Sequence, residues 1–251
     1  MSSATITTSA RLINSTPQTE EQAMVRKVAV SSFLGNFIEW FDYASYSYFA
    51  TTIALVFFPT DNHTVAMLQT FGVFALSFIL RPIGALFWGS YGDKKGRKAA
   101  LAHSIMFMSG ASFLIGCLPS YSVIGVGAPI LLLLLRMVQG FSASGEYAGA
   151  ATFLGEYAPT SKRGIYCSLI PASTAIGLLA GSTLATLMTA NMNSSAMVGW
   201  GWRVPFLLAG PLGLIVLYIR AKLADSPVYQ SMNDALESKG AASADGQIAA
   251  K

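Results

Sequence analysis

Arg81-Pro82-Ile83-Gly84-Ala85-Leu86-Phe87-Trp88-Gly89-Ser90-Tyr91-Gly92-Asp93-Lys94-Lys95-Gly96-Arg97-Lys98 is the stretch where the chain changes solvent. Residues 65–80, just before it, carry no charge, and residues 99–118, just after it, carry none but His103. Between them, Asp93 and four cations fall within six residues. About 20 apolar residues rising 1.5 Å each cross the roughly 30 Å of a bilayer's hydrocarbon. The stretch therefore ends one membrane span, turns in a basic loop and opens the next.

The same reading extends over the chain. Of 251 residues, 53% are hydrophobic and 11% charged, where a soluble domain carries about 25% charged residues, so a water-soluble fold of this size would lack a surface. Spans are expected at 28–50, 65–90, 99–118, 126–148, 165–190 and 204–221, making an all-α membrane protein of six transmembrane helices. The net charge of +4 points to no nucleic-acid partner, because the cations lie almost wholly on one side. Arg26 and Lys27, then Lys94, Lys95, Arg97 and Lys98, then Lys162 and Arg163, and finally Arg220 and Lys222 occupy alternate connections. The opposite connections hold Arg203 alone. By the positive-inside rule the basic segments, and with them both termini, are cytoplasmic. The expected partners are thus the lipid bilayer and what crosses it, in a multi-pass protein of the cell membrane.

Residues 1–25 are polar and read as a cytoplasmic tail, residues 26–223 as the six-helix domain, and residues 224–251 as a polar, disordered tail. Hydropathy and charge placement divide the helices into two groups of three, 28–118 and 126–221, a 3+3 inverted repeat of the kind transporters use. Cys117 and Cys167 fall at opposite membrane faces, too far apart for a disulfide. Neither His63 nor His103 has neighbours at metal-ligand spacing, and no phosphate loop, nucleophile elbow or cofactor motif occurs. No metal, cofactor or enzymatic activity is expected, and energy should come from an ion gradient.

With Arg220, at the very end of the last span, counted among the flanking cations, five Asp, Glu, Lys or Arg residues fall inside the spans: Glu39, Asp42, Arg81, Arg136 and Glu146. Each would cost about 2.5–3.5 kcal/mol facing lipid at the bilayer centre, so all are expected to face the bundle interior. At 100° per residue Ser32, Asn36, Glu39, Asp42, Tyr43 and Tyr46 fall on one stripe of the first span. Either Glu39 or Asp42 pairs with Arg81 or Arg136 simply to fix packing, or one of these carboxylates takes up and releases a coupling proton with an arginine competing for its charged form. Tyr43 and Tyr46 either pack or form part of an aromatic cage for a quaternary ammonium. Gly145-x-x-x-Gly149 and Gly177-x-x-x-Gly181 allow close helix approach. Pro82, Pro171 and Pro211 each remove a helical hydrogen bond, and Trp200 and Trp202 read as interfacial anchors.

Gly89-x-x-x-Asp93-Lys94-x-Gly96-Arg97-Lys98 resembles the loop between the second and third helices of the major facilitator superfamily. There Gly89 would allow helix approach, Gly96 the tight turn, and Asp93 with Arg97 a charged cytoplasmic latch, with Glu156 placed to meet Arg97. Arg136-x-x-Gln139-Gly140-x-x-x-x-Gly145-Glu146-Tyr147 and Lys162-Arg163-Gly164 resemble that superfamily further along. Gly35-Asn36-x-x-Glu39-Trp40-Phe41-Asp42-Tyr43, Arg81-Pro82-Ile83-Gly84 and Trp200-Gly201-Trp202-Arg203-Val204-Pro205-Phe206 are similar to its metabolite:proton symporters, with the proline/glycine betaine branch nearest. The resemblance implies proton symport of an osmolyte or organic acid, with proton and substrate handled among Glu39, Asp42, Tyr43, Tyr46, Arg81, Arg136 and Glu146. It also implies twelve helices in two halves, of which this chain holds the first six. Transport would then need a C-terminal half or a second copy of the chain, and the alternative is a truncated, transport-incompetent membrane protein or interaction remnant.

Overall fold

The computed structural model describes residues 16–223 and residue 231; the expected tail at 224–251, and the first fifteen residues of the other, lie outside the described residues. Six long helical units form the molecule: α1 (Thr16–Tyr48, continued by Ala50–Phe57), α2 (His63–Ile79 and Arg81–Lys95), α3 (Arg97–Cys117), α4 (Gly127–Ala143 and Glu146–Tyr157), α5 (Leu169–Asn191) and α6 (Val204–Ala221). Helix α1 starts ahead of the expected span, at Thr16. Stretches within α2 to α6 are long and apolar enough to cross a membrane. Helix α1 is not among them, because the polar stripe that faces its neighbours dilutes its apolar content; it packs along α5, α6 and the second segment of α4.

The boundaries have local causes. Asn62 caps α2 by accepting from the backbone N–H of Thr64 and Val65. Pro82, at the start of the second α2 segment, has no N–H to continue the helix, and the break falls at Leu80. Gly96 turns the chain from α2 into α3 at φ 95°, a conformation that costs a side-chain-bearing residue energy. Arg203 donates to the carbonyls of Gly116 and Leu118 at 2.8 and 2.6 Å, closing the C-terminus of α3. Trp202, expected at the interface, is instead fully buried, edge-on to Phe57 with centroids 5.3 Å apart; Trp200 is exposed.

Helix α1 packs on α5, α4 on α2, and α3 on α6. Exchanging the first three helices with the last three maps the first pair onto the second and the third onto itself, as a 3+3 inverted repeat requires. Glycines set the separations. A Cβ at Gly177 would lie 2.8 Å from the Phe37 carbonyl oxygen, one at Gly181 2.6 Å from the Ala44 Cβ, and one at Gly145 2.8 Å from the Trp88 Cβ. Lipid offers no hydrophobic drive for helix association, so such close van der Waals contact carries much of the packing. Polar side chains keep to the interior, among three apolar clusters: Ser31, Ser32, Asn36, Ser104, Ser112, Gln139 and Ser173 are buried, while large apolar side chains such as Leu68, Ile79, Leu86, Leu179 and Leu214 point outward.

Candidate functional site

The polar stripe of α1 is buried as expected, but its members serve three neighbours. Asn36 donates to α5, reaching the Ile170 carbonyl at 3.0 Å, Ser173 Oγ at 2.8 Å and Thr174 Oγ1 at 2.9 Å. Glu39 meets α2: its Oε1 accepts from Arg81 Nη2 at 2.5 Å, and the same nitrogen donates to Tyr43 Oη. Asp42 meets α4 through Arg136 Nη1 at 2.6 Å. Both arginines lie against aromatic faces. The Arg81 guanidinium carbon sits 5.1 Å from the Tyr43 centroid and 4.7 Å from that of Phe78, and Arg136 sits 3.8 Å from that of Tyr46. The two tyrosines proposed as an ammonium cage thus already hold cations of the protein itself. Tyr46 is fully enclosed, with its hydroxyl donating to the Thr70 carbonyl at 2.9 Å.

A third pair joins Glu146 to Arg220. Arg220 Nη1 reaches Oε2 at 3.0 Å, Nη2 reaches Oε1, and the guanidinium also donates to Ser31 Oγ at 3.1 Å and to the Leu101 carbonyl. Ser104 Oγ adds a contact to Oε2 at 3.3 Å. A Cβ on Gly35 would collide with this pair, so the glycine of α1 makes room for it. The sequence reading placed Arg220 among the cytoplasmic flanking cations, and it is instead buried in a network of α1, α3, α4 and α6. Its signal was positional: Ala209, Gly213, Val216 and Arg220 repeat at helical spacing on the buried face of α6.

The three carboxylates differ in how completely they are held. Both oxygens of Glu146 have partners, whereas Glu39 Oε2 and Asp42 Oδ1 are buried without one. Their arginines differ too: the Arg136 and Arg220 side chains are 1% and 2% exposed, that of Arg81 27%. Glu39 and Asp42 thus each keep one oxygen unengaged, while Glu146 has none to spare.

At the loop joining α2 and α3, Arg97 Nε pairs with Glu156 Oε1 at 3.0 Å, as anticipated. Asp93 is exposed, and its pairing with Arg97 is not among the ion pairs of the described residues. Gly89 was expected to let helices approach, yet a Cβ there would meet nothing within 4 Å; it lines an open cleft with Trp88, Gly92 and Arg97.

Comparison with known proteins agrees with this architecture. Residues 27–247 match the family model described as "Sugar (and other) transporter". The chain is 42% identical over 217 residues to the proline/betaine transporter of Salmonella typhimurium, covering 86% of this chain and 43% of that protein. It is equally similar, over the same shares, to a glycine betaine/proline/ectoine/pipecolic acid transporter of Dickeya dadantii. The chain therefore spans a little under half the length of these relatives. Among solved structures, the xylose transporter of E. coli in a partially occluded inward-open conformation superposes with a TM-score of 0.75 at 17% identity, over 84% of this chain and 52% of that one. A major facilitator proton:xylose symporter superposes with a TM-score of 0.74 at 16% identity.

Proposed function

Because the chain belongs to the sugar (and other) transporter family, as a multi-pass membrane protein with the major facilitator fold, we propose that it is the first six-helix half of a proton-coupled transporter of a small solute. One observation carries this reading: Glu39, buried mid-span, is held through one oxygen by an arginine that remains partly open, with its second oxygen unengaged. A carboxylate so placed can take a proton without disrupting the bundle, and its arginine is then free to respond. Asp42, equally half-held but against an enclosed arginine, is the second acceptor. Glu146, fully engaged, positions α1, α3, α4 and α6. The names of the relatives bring proline and betaine to the fore as solutes, and organic acids would suit the same arginine.

Alternating access in this architecture works by rocking one half against the other around a shared site. We place a second six-helix half, a separate polypeptide or another copy of this chain, against the face on which Arg81, Gly89 and Asp93 are open. The distribution of cations supports cytoplasmic termini, and the boundaries of the polar tails at 1–25 and 224–251 belong to the same proposal.

The test is uptake of labelled proline, betaine and 2-oxoglutarate in cells lacking their own carriers, with the chain expressed alone or beside a C-terminal half, with and without an uncoupler. Uptake that the uncoupler abolishes and Glu39→Gln removes is the expected result. Uptake indifferent to both overturns the proton reading, and no uptake in either arm, with insertion verified, overturns transport.

A further inference from the structure

Three arginines sit within the bundle, each holding one carboxylate, but one alone remains open. Arg81 spends Nη2 on both Glu39 and Tyr43, while its Nε is buried without a partner. Trp40, the residue after Glu39, likewise buries its indole Nε1–H with no acceptor. Both gather on Tyr43: the Trp40 ring lies edge-on to it with centroids 5.8 Å apart, and the guanidinium sits at 5.1 Å. Buried donors are almost always satisfied, because an orphaned one forfeits its bond to water and gains nothing. Arg136 also leaves Nε and Nη2 without partners, but it is enclosed; Arg81 and Trp40, both packed on Tyr43, bring two such donors beside the partly exposed cation of the three, a place that suits an anion. A cationic group does not suit it, since the aromatic faces of Tyr43 and Phe78 are already under the guanidinium.

We propose that Arg81, with the Trp40 indole N–H as second donor, is the docking point for the carboxylate of the transported solute, and that protonation of Glu39 releases Arg81 to it. The proposal rests on the proton-coupled reading above. Before the exchange the site holds the Arg81 cation and the Glu39 anion. A proton then adds to a Glu39 oxygen, the ion pair loses its negative partner, and the solute's carboxylate takes that place. Arg81 stays protonated throughout, so its charge faces one carboxylate before and one after, and proton and solute carboxylate enter together. The other charged and titratable groups facing Glu39 are Tyr43 on its own helix and Glu146 of α4, the latter already held by Arg220 of α6. Arg81 is therefore the cation that Glu39 answers to. Bidentate carboxylate capture is what a guanidinium does better than an ammonium.

The experiment uses the full chain in native membrane vesicles, treated with phenylglyoxal, an arginine-specific dicarbonyl, and read by mass spectrometry of the arginine-bearing peptides. Arg81 should react while Arg136 and Arg220 do not. Glycine betaine should slow the Arg81 reaction at least threefold, whereas choline, with the same quaternary ammonium and no carboxylate, should leave it unchanged. Glu39→Gln, which imitates the protonated acid, should strengthen betaine protection at neutral pH, and Trp40→Phe should weaken it. Equal protection by choline and betaine, or by neither, overturns the proposal, as does Arg81 reacting no faster than Arg136. Carboxylate-specific protection alongside uncoupler-insensitive uptake would sink the proton reading and leave the Arg81 site standing.

Discussion

Glu146 and Arg220 are 74 residues apart in sequence, yet they face each other with two nitrogens against two oxygens in the bundle interior. Removing one member strands a buried charge, which costs about 3–5 kcal/mol, while replacing both with apolar side chains of similar volume is often nearly neutral. Arg220→Met should therefore destabilise the purified chain by that amount in denaturant titrations in mixed micelles. Adding Glu146→Leu should recover most of the loss; a double variant as unstable as the two single losses summed would contradict the pairing.

Gly35 and Gly89 should respond to alanine with opposite signs. At Gly35 the new methyl has to displace the Glu146 carboxylate, and overpacking of this kind costs about 1–3 kcal/mol. At Gly89 it meets open space, and alanine in a helix interior gains roughly 0.5–1 kcal/mol over glycine. Thermal unfolding of both variants in the same detergent checks the pair.

Asn36 reaches three acceptors on α5, but Ser173 and Thr174 keep their own bonds to the Ile170 carbonyl. Interhelical hydrogen bonds in membranes average about 0.6 kcal/mol and peak near 1.7. Asn36→Ala should thus cost about 1–2 kcal/mol, well short of the loss for Arg220→Met, and it should loosen α1 against α5. Crosslinking yield between cysteines introduced on those two helices measures that loosening.

The Arg97–Glu156 pair is solvent-accessible at one member, with side chains 35% and 15% exposed. Pairs of that kind contribute about 1 kcal/mol or less and are screened by salt. Glu156→Gln should shift unfolding free energy by no more than that. A loss several times larger would mean that the loop holds the fold together rather than biasing its conformations.

Much of this was legible beforehand for physical reasons. Apolar runs of membrane length leave little choice but helices, and charges too costly for lipid have to find one another inside, so Glu39, Asp42, Arg81 and Arg136 could be named as one community. Which carboxylate meets which arginine was hidden, because helical register gives a face and not the neighbour opposite it: Asn36 and Glu39 share a stripe yet bind α5 and α2. Arg220 was obscured by its position two residues before Lys222, where a cation ordinarily marks the membrane's inner edge. Trp202 was obscured in the same way, since an indole near a helix start suits the interface as well as the core. The unengaged oxygens that separate Glu39 and Asp42 from Glu146 exist only in three dimensions.

The polar face of α1 also imposes an order of events during synthesis. Glu39 is made 42 residues before Arg81, and Asp42 94 residues before Arg136. At about 5–20 residues per second, Glu39 waits roughly 2–8 s for its counter-ion and Asp42 roughly 5–19 s for its own. Through that interval the nascent α1 carries two unneutralised carboxylates and cannot partition freely into lipid. The insertion machinery has to retain it until α2 and then α4 arrive, so α1 is released only in company with helices made well after it.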